Sequence, residues 1–240
     1  MPPFRVLPAG DAALVVEVPE RIDAELNAWC AALGRSLTSS FGAAVRDVVV
    51  GYVSVTVYFD PLTADARWVE DEIHARAERL EVESAAVGAT IEVPVSYGGE
   101  FGPDLEHVAA FAGCAEDEVV TLHTRRDYRV YMVGFVPGFA YLAEVDPRIA
   151  APRRASPRIK VPEGSVAIAG GQTGIYPSAS PGGWNIIGRT AVKPYDAARA
   201  EPFLFRTGDR VRFRSVPSDE RKTAGRITRS AFSRAFAKSD

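Results

Sequence analysis

The first 60 residues contain short apolar runs and one longer stretch with helical spacing. Ala12–Val18 is apolar and rich in valine, which predicts a β-strand. Apolar side chains then recur at positions 22, 26, 29, 33 and 37, which predicts an amphipathic helix over residues 22–39. Two β-rich runs, Val45–Val50 and Ser54–Phe59, flank a three-residue turn and predict a hairpin.

A second helix is predicted after the hairpin, because apolar residues share one face of it and charged residues occupy the rest. The succession of strands and helices predicts a small α+β sandwich, with the helices on one face of an antiparallel sheet. We assign this N-terminal α+β domain to residues 1–84. The small and weakly patterned residues 84–89 then predict a linker.

The pattern changes at residue 88 to many short β runs separated by glycine and proline. The first run is Thr90–Val95 and the last is Arg210–Val216, with short helices predicted over residues 104–112 and 116–123. Such a pattern favours a mainly-β barrel or sandwich, which we assign to residues 88–216. Residues 217–240 form a basic C-terminal tail that is expected to be solvated.

Composition, charge and missing motifs argue against several functions, among them nucleic-acid binding, membrane insertion and zinc binding. The chain is 47% hydrophobic and 25% charged, and its net charge of −3 favours neither nucleic acid nor an anionic membrane. The sequence has no 18-residue apolar run and no signal-peptide pattern, so we expect a cytoplasmic protein without a membrane span. It also lacks P-loop, dinucleotide-binding and nucleophile-elbow motifs, and its three histidines lack the spacing of a zinc site, so no metal is expected.

Candidate chemistry lies in three segments of the second domain, and the first of these is 134–142. Its sequence, GFVPGFAYL, combines glycine and Pro137 with the aromatic residues Phe135, Phe139 and Tyr141. A rigid loop of this kind could form the apolar wall or lid of a pocket. A turn whose aromatic side chains belong to the core is the alternative.

The second segment, 152–162, holds four cations between prolines. The planar fork of arginine fits carboxylate or phosphate, and stiff flanking residues lower the cost of ordering it. Arg158 is the favoured anion ligand because it directly precedes a β run. A solvated basic loop is the alternative.

The third segment, 169–190, is rich in glycine, which lets backbone N–H groups approach a ligand closely. Gln172, Thr173 and Tyr176 add directional hydrogen bonds, and Arg189 adds a second positive charge. Tight barrel turns would explain the same composition. His123 is the acid–base candidate because histidine titrates near neutral pH, although a lone histidine is more often structural.

These segments carry a family resemblance. Several strings occur in one order along the second domain, which is more specific than any single motif: Tyr97-Gly98-Gly99, Leu122-His123, GFVPGFAYL at 134–142, QTGIYP at 172–177 and SPGGWNIIGRT at 180–190. With them, the chain resembles the KipI family, also called the allophanate hydrolase subunit 1 family or the family of the 5-oxoprolinase B subunit (PxpB).

The resemblance implies an α+β sandwich followed by a cyclophilin-like β-barrel. It also implies a small subunit of an ATP-dependent 5-oxoprolinase, which opens 5-oxoproline to L-glutamate. The implied partners are a larger homologous subunit of the KipA type, the C subunit of 5-oxoprolinase, and a third subunit of the LamB/YcsF type. ATP is the implied cofactor, with its site in the complex rather than in this chain alone.

The resemblance also suggests roles for the candidate residues. Arg158 and Arg189 would bind anionic groups. Gln172 and Tyr176 would orient the lactam amide, while His123 would move a proton. The aromatic loop 135–141 would exclude water from the reaction.

Two other functions remain open from the sequence. One is a histidine-kinase inhibitor, a regulatory role that is known within the KipI family. The other is a subunit of the carboxyltransferase or allophanate-hydrolase type, which would require a partner with a biotin-carrier domain.

Overall fold

The computed structural model describes residues 1–21, 23–41, 44–80 and 88–220, and the chain divides into two compact units between residues 86 and 87. The predicted domain boundary lies mostly outside the described residues, as does most of the basic tail. Among its described residues, the first unit contains six α-helices and β-strands: β1 (Arg5–Pro8), β2 (Ala13–Glu17), α1 (Ala24–Ser40), β3 (Val45–Val50), β4 (Ser54–Phe59) and α2 (Ala66–Glu78). Its four strands form one antiparallel sheet in the order β1-β2-β4-β3.

Aspartates at the helix starts fix the two helices of the first unit. The Asp23 carboxylate accepts hydrogen bonds from the first backbone N–H groups of α1, and Asp65 does the same for α2. These contacts satisfy N–H groups that have no partner within the helix. The apolar faces of both helices and the sheet share one core, which includes Trp29, Leu33 and Ile73. The predicted helix at 22–39 and the predicted hairpin are therefore present, with the helix shifted to 24–40.

The second unit contains nine strands and two further α-helices among its described residues. They are β5 (Thr90–Tyr97), α3 (Leu105–Ala112), α4 (Glu116–Thr124), β6 (Asp127–Val133), β7 (Ala140–Ala143), β8 (Arg158–Val161), β9 (Ser165–Ala169), β10 (Gln172–Ile175), β11 (Ser180–Gly182), β12 (Asn185–Arg189) and β13 (Arg210–Ser215). Seven strands close into a barrel in the order β10-β7-β6-β13-β5-β12-β9, which confirms the predicted barrel. Strands β8 and β11 form a separate two-stranded ribbon.

The last strand of the barrel lies between two much earlier ones. β13 pairs in parallel with β5, from Arg210 opposite Thr90 to Ser215 opposite Val95. On its other side it pairs antiparallel with β6. The barrel is therefore closed by contacts between segments about 80 and about 120 residues apart. The hydrogen bond from Ala89 N to Asp209 Oδ1 also spans 120 residues.

Two apolar clusters lie on opposite faces of the barrel wall. Along β9, Val166 and Ile168 belong to the main core, whereas Ala167 and Ala169 belong to a second cluster. This alternation follows from the two-residue period of a strand. The main core also takes in apolar side chains of α3 and α4. The second cluster includes Val161 of the β8–β11 ribbon, and it positions the candidate site.

In the part of the chain that the structure describes, no helix is long and apolar enough to cross a membrane.

Candidate functional site

Four aromatic side chains form the centre of the second cluster. We call Phe139, Tyr141, Tyr176 and Trp184 the aromatic platform. The Phe139 ring lies edge-on to the other three, with centroid distances of 4.8 Å to Tyr141, 5.3 Å to Tyr176 and 5.4 Å to Trp184. Tyr141 and Trp184 are themselves 5.9 Å apart. Edge-to-face contacts of this kind are favourable, so the platform is a closely packed apolar cluster in which Tyr141 is half-buried and the other three rings are buried.

Glycines make this close packing possible. A Cβ atom on Gly174 would lie 3.1 Å from the Phe139 ring and 3.3 Å from the Trp184 ring. A Cβ atom on Gly182 would collide with the hydroxyl group of Tyr176. The glycine-rich third segment therefore serves aromatic packing at these two positions, rather than the close approach of backbone N–H groups to a ligand.

The loop before the platform is only partly buried. Phe139 is buried, whereas Pro137 is exposed and Phe135 is 63% exposed. Phe135 has a φ of 70°, a left-handed conformation that costs energy for a residue other than glycine. Gly138, with φ 85°, packs against Tyr195 so closely that a Cβ atom would lie 2.7 Å from it. The segment 134–142 thus supplies two platform residues, Phe139 and Tyr141, and presents the exposed ring of Phe135.

The predicted anion ligand Arg158 is engaged by a buried carboxylate. Asp104 is 3% exposed and accepts hydrogen bonds from both terminal nitrogens of Arg158, each at 2.8 Å. It also accepts from Arg154 at 2.7 Å and from the backbone N–H of Ile186 at 2.7 Å. Two guanidinium groups and one carboxylate leave a single net positive charge. Most of the Arg158 fork is therefore committed to a structural contact.

Arg153 lies directly over the platform. Its guanidinium carbon is 5.9 Å from the centroid of the Trp184 ring, within the range of a cation–π contact. Its charge also acts on the phenols of Tyr141 and Tyr176. The cation in contact with the Trp184 ring is thus Arg153, not the residue that the sequence favoured.

Burial keeps the two platform phenols protonated. Burial raises the pKa of Tyr141, and Arg153 opposes the rise. Burial likewise raises the pKa of Tyr176, against the hydrogen bond from the Trp184 backbone and the charges of Arg153 and Arg158. Both groups are therefore neutral hydroxyls at physiological pH, able to donate a hydrogen bond to an anion or a carbonyl oxygen.

His123 is a core histidine rather than a group that a ligand can reach. It is fully buried, and its ring stacks on Phe213 at a centroid distance of 4.6 Å. The Tyr97 hydroxyl lies 2.8 Å from Nδ1, and the Thr173 hydroxyl lies 2.9 Å from Nε2. Both ring nitrogens therefore have partners inside the protein.

The hydrogen-bond directions follow from Thr173. Its hydroxyl donates to the carbonyl of Ala167 at 3.0 Å, so it accepts from Nε2–H of His123. Nδ1 then accepts from the Tyr97 hydroxyl, which is protonated because burial raises its pKa well above the usual value. Burial lowers the pKa of His123 to about 3. The geometry does not support a proton-transfer role for His123 or a ligand contact for Thr173.

The other two predicted residues lie on strands of the barrel. Arg189 is at the end of β12 farthest from Trp184, where its Nε donates to the carbonyl of Glu163 at 3.1 Å. It is therefore not paired with Arg158 in one anion site. Gln172, at the start of β10, is half-buried and alternates with the inward-facing Thr173, so it lies on the same face of β10 as Gly174.

Sequence reasoning missed Asp104, Arg153 and Trp184 as parts of this site. A buried acid at the start of a short helix gives no local signal that two arginines 50 and 54 residues away will bind it. Trp184 had one available signal, because it stands in a glycine-rich run where a large aromatic residue is unusual. Among the described residues, no group of three or more His, Cys, Asp or Glu side chains could hold a metal ion.

Comparison with known proteins assigns the chain to a family. The family model for the carboxyltransferase domain, subdomain C and D, matches residues 4–205. The 5-oxoprolinase B subunit of Bacillus subtilis (strain 168) is 38% identical over 224 residues, covering 88% of this chain and 92% of its own. The chain belongs to the family of the 5-oxoprolinase B subunit. Its relative in Escherichia coli O157:H7 is 46% identical, covering 73% of this chain and 79% of its own.

Solved structures agree with this assignment. The crystal structure of TTHA0988 is 38% identical with a TM-score of 0.77; the match covers 86% of this chain but only 40% of that longer chain. The protein PH0987 from Pyrococcus horikoshii is 41% identical with a TM-score of 0.54, covering 90% and 99% of the two chains. The urea carboxylase of Kluyveromyces lactis has a TM-score of 0.76 at 17% identity, covering 99% of this chain and 25% of its own, which shows a shared fold.

Proposed function

We propose that this chain is the small subunit of an ATP-dependent 5-oxoprolinase, which opens 5-oxoproline to L-glutamate. The observation that supports this most is the similarity, over 73–88% of this chain, to three proteins named as the B subunit of 5-oxoprolinase, at 38–46% identity. A name that designates a subunit also supports an assembly with other subunits. The proposed partners are a larger homologous subunit of the KipA type, the C subunit of 5-oxoprolinase, and a third subunit of the LamB/YcsF type.

The proposed reaction activates a poor electrophile. Transfer of the γ-phosphoryl group to the lactam oxygen releases ADP and makes the ring carbon reactive toward water. Water adds there, the ring C–N bond breaks as the nitrogen takes a proton, and a second water hydrolyses the resulting acyl phosphate. Such chemistry needs a cation for the substrate carboxylate and hydrogen-bond donors for the negative oxygen that develops.

The aromatic platform supplies part of this set in the proposed scheme. Its rings provide an apolar wall that limits water, and the neutral phenols of Tyr141 and Tyr176 are donors for an oxygen of the lactam. Gln172, two positions before Gly174 on the same strand, is the proposed partner of the lactam N–H. Arg158 acts through Asp104, since that contact fixes β8 against the start of α3.

We place ATP with the partner subunits rather than on this platform. Arg154 and Arg158 share one carboxylate, so the described cations around Trp184 provide little spare charge for a triphosphate. A ligand with a single carboxylate matches the remaining positive charge better than a triphosphate does. We also propose that the barrel is of the cyclophilin-like class and that the first unit is an α+β sandwich, in keeping with its one antiparallel sheet and two helices.

The test is reconstitution of the complex. The chain is co-expressed with its larger homologous subunit and the third subunit, and ATP-dependent release of glutamate from 5-oxoproline is measured. We expect release that requires all three chains and produces ADP and phosphate in step with glutamate. A well-assembled complex that releases no glutamate would contradict the proposal. Activity toward a biotin-linked carboxyl donor, or inhibition of a histidine kinase, would replace it.

A further inference from the structure

We infer that Arg153 is the residue that binds the carboxylate of the substrate, held over Trp184 by a backbone clamp. This inference rests on the proposed function and assigns the substrate-recognition residue within it. It replaces Arg158 and Arg189 with a cation that the sequence did not single out.

Arg153 differs from the neighbouring arginines in its ion pairs. Arg154 and Arg158 both donate to the buried carboxylate of Asp104, at 2.7–2.8 Å. Within the part of the chain that the structure describes, Arg153 has no carboxylate partner. A guanidinium with both edges still available can bind a carboxylate through two parallel hydrogen bonds, and this geometry is specific as well as strong.

The backbone on both sides of Arg153 is fixed to residues 183 and 185, which flank Trp184 between β11 and β12. The carbonyl of Pro152, immediately before it, accepts from Nδ2 of the buried Asn185 at 2.8 Å. The N–H of Arg154, immediately after it, donates to the carbonyl of Gly183 at 2.8 Å. These contacts bracket Arg153 against residues 183–185. Because its backbone is already ordered, binding an anion costs little further backbone entropy, and the main entropic cost is that of fixing the exposed side chain.

The groups around Arg153 match a small ligand that has one carboxylate attached to a planar ring. The guanidinium lies against the Trp184 ring, and its charge reaches the hydroxyls of Tyr141 and Tyr176. A carboxylate on Arg153 would place the attached ring next to Tyr141, the platform residue that is only half-buried. A five-membered lactam with one carboxylate combines these two features, whereas the same lactam without a carboxylate would lose the arginine contact.

The experiment compares substrates with and without the carboxylate in the reconstituted three-subunit complex. Wild type, Arg153→Gln, Arg153→Lys and the control Lys160→Gln are assayed with 5-oxoproline and with 2-pyrrolidinone. Lys160→Gln removes an exposed positive charge from the same surface. We expect Arg153→Gln to raise KM for 5-oxoproline about 10- to 100-fold, since a charge-assisted contact is lost. KM for ATP and the rate with 2-pyrrolidinone should stay as in wild type.

One conservative variant and one control variant test whether the fork of Arg153 matters as well as its charge. Arg153→Lys keeps the charge but loses the planar fork, so its KM should lie between those of wild type and Arg153→Gln. Lys160→Gln should match wild type. An Arg153→Gln complex with unchanged KM for 5-oxoproline, or one equally impaired with both lactams, would overturn the inference while leaving the proposed function standing.

A binding measurement tests the role of Arg153 even if the proposed enzyme activity is absent. If the wild-type complex releases no glutamate, 5-oxoproline and acetate are titrated into the chain alone and the indole N–H signals are followed by NMR. Trp184 should shift in wild type and not in Arg153→Gln, with Trp29 and Trp68 as internal references. No shift of Trp184 with either compound, or the same shift in both proteins, would overturn the anion-binding role itself.

Discussion

Replacing Asp104 with asparagine should strongly destabilise the second unit. The substitution keeps the shape of the side chain but removes its charge and turns one acceptor oxygen into an N–H donor. That donor would face arginine N–H groups, which now lie 2.7–2.8 Å from the carboxylate oxygens. Both Arg154 and Arg158 would lose the carboxylate that they bind, and the N–H of Ile186 would lose its acceptor if the amide nitrogen took the place of Oδ2.

The magnitude follows from burial. Removing one partner of a buried ion pair costs about 3–5 kcal/mol. The side chains of Arg158 and Arg154 are 26% and 36% exposed, so water recovers part of that loss. We therefore expect the free energy of unfolding to fall by about 2–4 kcal/mol. For a unit of this size the midpoint temperature should drop by roughly 5–15 °C. Urea and thermal unfolding followed by circular dichroism measure both quantities.

The matched control is Asp127→Asn. Asp127 also binds one arginine through both oxygens, with Arg212 Nε at 2.6 Å and a terminal nitrogen at 2.8 Å, but that arginine is 54% exposed. An exposed pair contributes little, so this variant should unfold close to wild type. Equal losses in Asp104→Asn and Asp127→Asn would refute the argument that burial of the carboxylate sets the cost.

Three further outcomes are expected. The pKa of His123 is near 3 in the folded protein against 6.5 for an exposed histidine, so the unfolded chain binds the extra proton first; stability should be complete above pH 6.5 and fall by on the order of 4–5 kcal/mol as pH drops toward 3. Urea midpoints between pH 7 and 4 should show most of this loss in wild type and a flatter profile in His123→Gln. Gly182→Ala should cost about 1–3 kcal/mol because its methyl meets the Tyr176 hydroxyl, and adding Tyr176→Phe should restore part of the loss in urea unfolding. Burial raises the pKa of the Cys30 thiol to about 12, so a disulfide reagent should modify Cys30 only on unfolding and the half-exposed Cys114 in the native state; rapid native reaction of both would contradict this.

Local patterns were enough to predict most of the fold. The apolar positions at 26, 29, 33 and 37 lie on one buried face of α1, and the glycine after α3 has the left-handed φ of 65° expected at a helix end. The density of short strands between glycine and proline was enough to indicate a barrel. Strand order was not predictable, because each barrel neighbour is chosen by side-chain fit across long stretches of sequence.

The site was harder to predict because its residues are defined by what they bind in the folded chain. Arg153 and Arg154 are adjacent and chemically identical, yet only Arg154 donates to Asp104. His123 has the composition of an acid–base group, but its burial decides its protonation and no local pattern reports that burial. On β10, the two-residue period alone separates Thr173 from Gln172 and Gly174. Applying that period to the sequence would have placed Thr173 in the core.

The position of β13 has a consequence for synthesis of the chain. Until residues 210–215 have been made, the edges of β5 and β6 that they will occupy carry unpaired N–H and C=O groups. The first unit contains all of its own strand partners and can fold while the second is still incomplete. A ribosome that stalls anywhere between β6 and β13 would therefore carry a folded first unit followed by a partial sheet with two unpaired strand edges. Chaperone demand should concentrate in that interval of translation.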